Sequence, residues 1–220
     1  MTTERWSAAR RSRGRELPRE RRVVGEESSV LARLRTETRP QHQAIEAALD
    51  LTSETLKLDA YLRTLERFYG FYRPLEIGVQ AVGGWADRGL DLPGRSKTPL
   101  LEADLRALGV GEPAALPVCD DLPPHATVAA AFGCLYVLEG ATLGGQVISR
   151  SIQKATDIKL DTGGRFFHGY GERTGPMWQA FRAALVAFAV TPGAQNEIVS
   201  AAKDTFSKLQ RWTTAGGDNR

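Results

Sequence analysis

Apolar positions recur at three- and four-residue steps along most of this chain, and that spacing predicts helices. Leu31, Leu34, Ile45 and Leu49 mark one amphipathic helix over 30–51, with His42 inside the apolar stripe. Pro40 sits across from the stripe. There it either opens a helix as an early residue or removes a backbone bond and kinks one, and the sequence leaves both open. A second helix starts near Asp59, a candidate N-cap, and carries Tyr61, Leu65, Phe68, Tyr69, Tyr72 and Leu75 to a stop at Gly83 and Gly84. Gly- and Pro-containing stretches at 87–99 and 111–124 read as loops around a short helix, 100–108, stopped by Gly109. Residues 127–156 are apolar nearly all the way round, which predicts the most buried helix of the molecule. A Gly-rich loop over 161–174 leads to a helix from Pro176 to 188, and a last helix spans 195–212. No segment alternates as a strand and no repeat is visible, so the expected fold is all-α, a single-domain helical bundle.

Composition bounds this picture without changing it. A chain of 220 residues, 42% hydrophobic and 25% charged, suits one globular domain, expected over 27–213. No apolar run is read as reaching the length that crosses a bilayer. The net charge of +3 traces to the opening segment, where Arg10, Arg11, Arg13, Arg15, Arg19, Arg21 and Arg22 come with few apolar residues. Residues 1–26 are therefore expected to be a disordered tail, and 214–220 a flexible one. The opening segment lacks the apolar core of a secretory signal, and Glu4, Glu16 and Glu20 argue against a transit peptide. A cytoplasmic protein without a nucleic-acid or membrane partner is expected. Two cysteines, Cys119 in a loop and Cys134 in the apolar helix, supply neither a disulfide framework nor a zinc spacing.

Two features carry candidate chemistry. Of the three histidines, His125 follows two prolines and His168 lies in the Gly-rich loop, so both are expected near the surface. His42 has Glu46 one turn on, with Arg35 and Arg39 beside the same face. That is the setting of a metal ligand, although a histidine on such a face is more often a hydrogen-bonded core residue. The second feature is Gly140, Gly144 and Gly145 inside the apolar helix, each costing about 1 kcal/mol relative to alanine. Glycines at such spacing admit close approach of a flat object or of another helix.

Residues 34–46, with Arg35, Arg39, His42 and Glu46, resemble the proximal-helix motif of heme oxygenases, and the run from Gly140 through Ala141, Thr142, Leu143, Gly144 and Gly145 to Gln146 resembles their distal helix. Trp178, Phe181 and Arg182, and the stretch from Ala202 to Phe206, extend the likeness over about 31–212. Within the family the chain looks most similar to bacterial enzymes that supply biliverdin to phytochromes.

The resemblance implies a heme b held between two helices as both substrate and cofactor. His42 would be the axial iron ligand, oriented by Glu46. Gly140, Gly144, Gly145 and Thr142 would form the distal face. Arg182, Arg35 and Arg39 would meet the propionates, and Phe206 the ring edge. The implied reaction is oxygen-dependent opening at a meso carbon to biliverdin, carbon monoxide and ferrous iron. Its electrons would come from a ferredoxin or flavoprotein reductase, and a phytochrome would accept the product. One departure stands out: many members place an aspartate after the first distal glycine, and this chain has Ala141. Thr142, Glu139 or a backbone carbonyl would then anchor the distal water.

The alternative function is a heme carrier or sensor that keeps the pocket without turnover. A di-iron oxygenase is disfavoured because no histidine has a glutamate three positions before it. A thiaminase-like member is disfavoured because Cys134 lies among apolar residues that oppose a thiolate.

Overall fold

The first predicted helix is two. In a computed structural model that describes residues 29–215, the α-helices are α1 (Ser29–Glu37), α2 (Arg39–Leu49), α3 (Leu58–Ala81), α4 (Thr98–Ala107), α5 (Val128–Thr156), α6 (Arg165–His168), α7 (Thr174–Phe188) and α8 (Pro192–Thr214). Thr38 separates α1 from α2, and its hydroxyl donates to Leu34 O at 2.7 Å. Pro40 falls in the first turn of α2, where its missing N–H leaves no bond unmade. That settles the choice the sequence left open. The predicted tail over 1–26 lies outside the described residues, as do residues 216–220, and α8 continues through Thr214.

Helix α3 runs through Pro74 without breaking. Proline has no N–H for the carbonyl four residues back, so Gly70 O is left without its helical partner. Cys119 N donates to it at 2.8 Å and ties the 111–124 loop to the helix. Gly70 permits this approach, since a Cβ there would overlap the Pro117 carbonyl oxygen. Asp59 is not the N-cap; Lys57 holds that position, and Asp59 pairs with Arg63 at 2.9 Å.

Helix α5 is the axis of the molecule. Thr127 caps it by accepting from Ala130 N at 3.0 Å, and Asp157 ends it in the left-handed region at φ 60°. It packs along α8 and also meets α3, α6 and α7. Gly133 lets α8 come close, because a Cβ there would overlap Ile198 O and crowd Ala201. An aromatic cluster of Trp85, Phe132, Phe181 and Phe188 fills one side, with Trp85 edge-on to Phe132 at 5.2 Å. Contrary to expectation, α5 is long and apolar enough to cross a membrane by length and composition alone. Its most apolar window is 67% buried inside the protein, so the other helices take the place a lipid phase would have.

The Gly-rich stretch 161–174 is not a plain loop. It holds α6 between the 3₁₀ turns Leu160–Thr162 and Gly171–Arg173. Long-range partners create this order: Asp104 on α4 accepts from Arg165 N at 2.9 Å and Phe166 N at 2.7 Å, and Tyr61 Oη donates to Gly163 O at 2.6 Å. Phe166 and Phe167 are thereby pressed under α5, beside Phe68 and Tyr72. No strand occurs among the described residues, and the all-α class stands.

Candidate functional site

His42 presents its imidazole outward from α2, with 52% of the side chain exposed. Nδ1 lies 3.2 Å from Glu46 Oε2, one turn on, which leaves Nε2 as the nitrogen facing away from the protein's own carboxylate. Phe206 on α8, itself buried, stands edge-on to the ring at 5.5 Å and fixes its plane. The core reading of His42 therefore fails: Ile45 is the buried residue of α2, and the imidazole sits at the margin of that face.

The second half of α5 supplies a bare surface. A Cβ on Gly140 would meet nothing within 4 Å, and one on Gly144 only Ile148 of its own helix at 3.8 Å. Leu143 and Val147 continue the same stripe, 48% and 61% exposed. Gly145 does not share this face. Its added Cβ would overlap the carbonyl oxygen of Phe167, because one residue turns the helix by 100° and points Gly145 into α6. Thr142 also turns inward: it is buried, donates from its hydroxyl to Glu139 O at 2.7 Å, and packs on Gly169. The four distal candidates thus divide into two that face outward and two that face the protein.

Tyr136, one turn before Gly140, contacts Trp178 of α7 at 5.8 Å, and Trp178 stacks on Phe181 at 5.4 Å. This brings α7 beside the bare stripe, with Arg182 one turn beyond Trp178. Arg182 is half-buried and Arg39 exposed, and neither has an ion pair among the described residues. Arg35 is exposed on α1. A half-buried cation without a carboxylate partner, as at Arg182, suits an anionic ligand. A cavity of about 640 Å³ elsewhere, between Gln80, Trp85, Leu90 and Pro93, contains none of these residues.

Behind the bare stripe stands a buried ionic cluster. Glu139 Oε2 accepts from Arg95 Nη1 at 2.6 Å, and its Oε1 accepts from Tyr170 Oη at 2.6 Å and Lys97 Nζ at 3.3 Å. Lys97 Nζ also donates to Arg95 O at 2.6 Å and Tyr170 Oη at 2.5 Å, while Arg95 Nη2 reaches Met177 O at 3.1 Å. Next to it, Glu76 accepts from Lys97 N at 2.6 Å, from Thr98 Oγ1 at 2.7 Å and from Ser96 Oγ. Two cations face two carboxylates, and such a cluster tolerates burial because every charge is matched and hydrogen-bonded. Burial nevertheless pushes Lys97 below the usual lysine range against the pull of Glu139 and Glu76, and raises the Tyr170 phenol, reinforced by Glu139.

Sequence reasoning did not find this cluster. Arg95 and Lys97 read as turn residues, and Tyr170 as part of a Gly-rich loop. The one available signal was Glu139, a lone carboxylate inside an apolar helix, which requires buried partners. Their identity depends on segments 44 and 31 residues away along the chain.

Among the described residues, α5 thus presents a bare strip of backbone and α2 an outward imidazole with a backing carboxylate. The chain belongs to the heme oxygenase family, whose profile matches residues 28–215. It is 39% identical over 102 residues to a heme oxygenase of Xanthomonas campestris pv. campestris, a stretch covering 44% of this chain; the chain spans about half (54%) of that relative's length. Solved structures share the fold. The heme oxygenase of Neisseria meningitidis superposes with a TM-score of 0.71 at 23% identity, covering 84% of this chain and 92% of that one. That of Leptospira interrogans gives 0.70 at 19%, covering 85% and 99%. Heme oxygenase-1 of Synechocystis, in complex with heme, gives 0.68 at 14%, covering 84% and 91%.

Proposed function

We propose that this chain binds heme and opens its ring at a meso carbon, releasing biliverdin, carbon monoxide and ferrous iron. The observation that carries the reading is the uncovered pair of surfaces, the imidazole of His42 and the side-chain-free stripe at Gly140 and Gly144. Heme, when bound, supplies the redox chemistry and is itself the substrate.

The chain's own residues do the rest. His42 Nε2 would hold the iron, while Glu46 and Phe206 fix the orientation of the imidazole. Gly140 and Gly144 would let the macrocycle lie against backbone and would offer it no side-chain ligand from that face. Leu143 and Val147 supply apolar cover. Arg182 and Arg39, together with Arg35, meet the propionates through charge-assisted hydrogen bonds. Gly145 and Thr142 act from behind, by fixing the helix on α6 and Gly169. A ferredoxin or flavoprotein reductase delivers the electrons, and the product serves a phytochrome as chromophore in the cytoplasm.

Reconstitution tests this. Purified protein with hemin, reductant and oxygen should lose the heme absorption and gain that of biliverdin. His42→Ala should retain its helix content and lose the axially ligated spectrum; a spectrum identical to wild type would place the ligand elsewhere. The second reading, a carrier or sensor, draws on Ala141, whose exposed methyl offers no polar group at the bare face. A heme spectrum that persists with reductant and oxygen would favour it.

A further inference from the structure

A file of aromatic rings crosses the molecule from the bare stripe of α5 to the cavity beside Trp85, and the functional reading uses neither. Tyr136 stands on the stripe one turn before Gly140, half-buried, with its ring 5.8 Å from that of Trp178. Trp178 stacks on Phe181 at 5.4 Å, Phe181 lies 6.2 Å from Phe132, and Phe132 meets Trp85 edge-on at 5.2 Å. Each step falls within the range of aromatic rings in contact. Phe132 and Phe181 are fully buried, so the middle of the file is closed to solvent.

The order of the rings has chemical meaning. Tryptophan and tyrosine give up an electron far more readily than phenylalanine. Electron donors therefore stand at both ends, Tyr136 and Trp178 at the stripe and Trp85 at the cavity, while two phenylalanines bridge them with packed rings in place of solvent. Trp212 lies outside the file, under Arg67. Trp85 is 6% exposed, held by its Nε1–H donating to Val79 O at 2.9 Å, and forms one wall of the cavity of about 640 Å³. Leu90, Leu92 and Pro93 add apolar wall, and the exposed side chains of Asp91 and Gln80 add polar groups. That volume and lining suit a small aromatic molecule carrying a polar group.

We propose that the cavity beside Trp85 binds small phenols and that the file carries their electrons to heme at the bare stripe, giving the chain a peroxidase activity beside ring opening. The inference rests on the proposed binding of heme, which is what the file would serve. The oxidant is hydrogen peroxide, formed when dioxygen takes up two electrons and two protons without opening the ring. Peroxide then accepts two electrons and two protons and leaves as two waters. One electron comes from the bound heme, and the other from Trp178 by way of Tyr136. Trp85 refills Trp178, and a phenol in the cavity refills Trp85, its hydroxyl proton passing to Asp91 and on to solvent. A second phenol restores the heme by the same route. Two phenols thus become two phenoxyl radicals for each peroxide consumed, and the protein returns to its starting state.

Trp178→Phe is the variant of choice, because it keeps a ring between Tyr136 and Phe181 and removes the electron donor. In the wild-type heme complex, one equivalent of hydrogen peroxide should leave an indole radical in the electron paramagnetic resonance spectrum and added oxygen on Trp85 by peptide mapping. Phenol should quench the radical and spare Trp85. Trp178→Phe should bind hemin as wild type does and lose both the indole radical and the oxidation of Trp85, and Tyr136→Phe should lose the latter. Trp212→Phe should match wild type throughout. Ala86→Phe, which fills the cavity, should keep the radical and abolish its quenching by phenol. A wild-type complex without radical or Trp85 oxidation overturns the proposal and leaves the heme oxygenase reading intact. So does Trp85 oxidation that persists in Trp178→Phe or in heme-free protein, or quenching that survives Ala86→Phe. A wild-type chain that binds no hemin overturns both.

Discussion

Up to Glu139, helix α5 is wrapped by other helices; beyond it, one face lies bare. Ala129 through Leu135 are all buried, and Gly133 presses onto the backbone of α8. Past Gly140, Leu143 and Val147 are as apolar as anything before them, yet 48% and 61% of them stay exposed. The glycines divide the same way. Gly133 and Gly145 admit a neighbouring backbone, whereas Gly140 and Gly144 admit nothing the protein itself supplies. Apolar composition thus states that a surface needs covering, and says nothing of what covers it.

Three experiments press on that contrast. The largest effect is expected from Glu139→Ala at the junction of the two halves, which strands Arg95 and Lys97 in the interior. Breaking a buried ion pair from one side costs about 3–5 kcal/mol, measurable by urea denaturation of the heme-free protein. A loss below about 1 kcal/mol would mean that solvent enters and solvates the cations.

Next come paired glycine substitutions of opposite sign. Gly145→Ala forces a methyl into the Phe167 carbonyl and should destabilise by about 1–3 kcal/mol. Gly144→Ala meets open space and should stabilise the heme-free protein by about 0.5–1 kcal/mol through helix propensity. The same Gly144→Ala should weaken hemin binding. Thermal melts with and without hemin read both effects, and equal losses in the two variants would erase the distinction between packed and bare glycines.

The smallest effect concerns the wrapped half alone. Burial among apolar groups pushes the Cys134 thiol up to about 11, so at pH 8 almost none is thiolate. Iodoacetamide should label it only as the chain unfolds, with native labelling emerging as pH approaches that value. Rapid native labelling at pH 8 would show that the first half of α5 opens readily.

The legible parts of this protein are those whose cause is local. The apolar period of 127–156 predicted α5 to within one residue, because an N-cap threonine and a helical run sit next to each other in the chain. His42 with Glu46 one turn on was equally readable, since i,i+4 neighbours on a helix meet wherever the helix goes. What escaped depends on distant partners. The stretch 161–174 looked like loop because its order comes from Asp104 and Tyr61. Arg95, Lys97 and Tyr170 carried no pattern at all, because their meaning is Glu139. Gly145 was grouped with Gly140 and Gly144 by spacing, and only Phe167 separates them.

From the amino-acid order alone came the helical class, the places of most helices, and an imidazole and a run of glycines set apart from the rest, all consequences of periodicity and backbone freedom acting within a few turns. Which glycines stay uncovered and which charges meet inside were decided by how α3, α5, α6 and α8 pack. Packing is a property of surfaces brought together from far apart in the chain, and no local pattern encodes the identity of the surface on the other side.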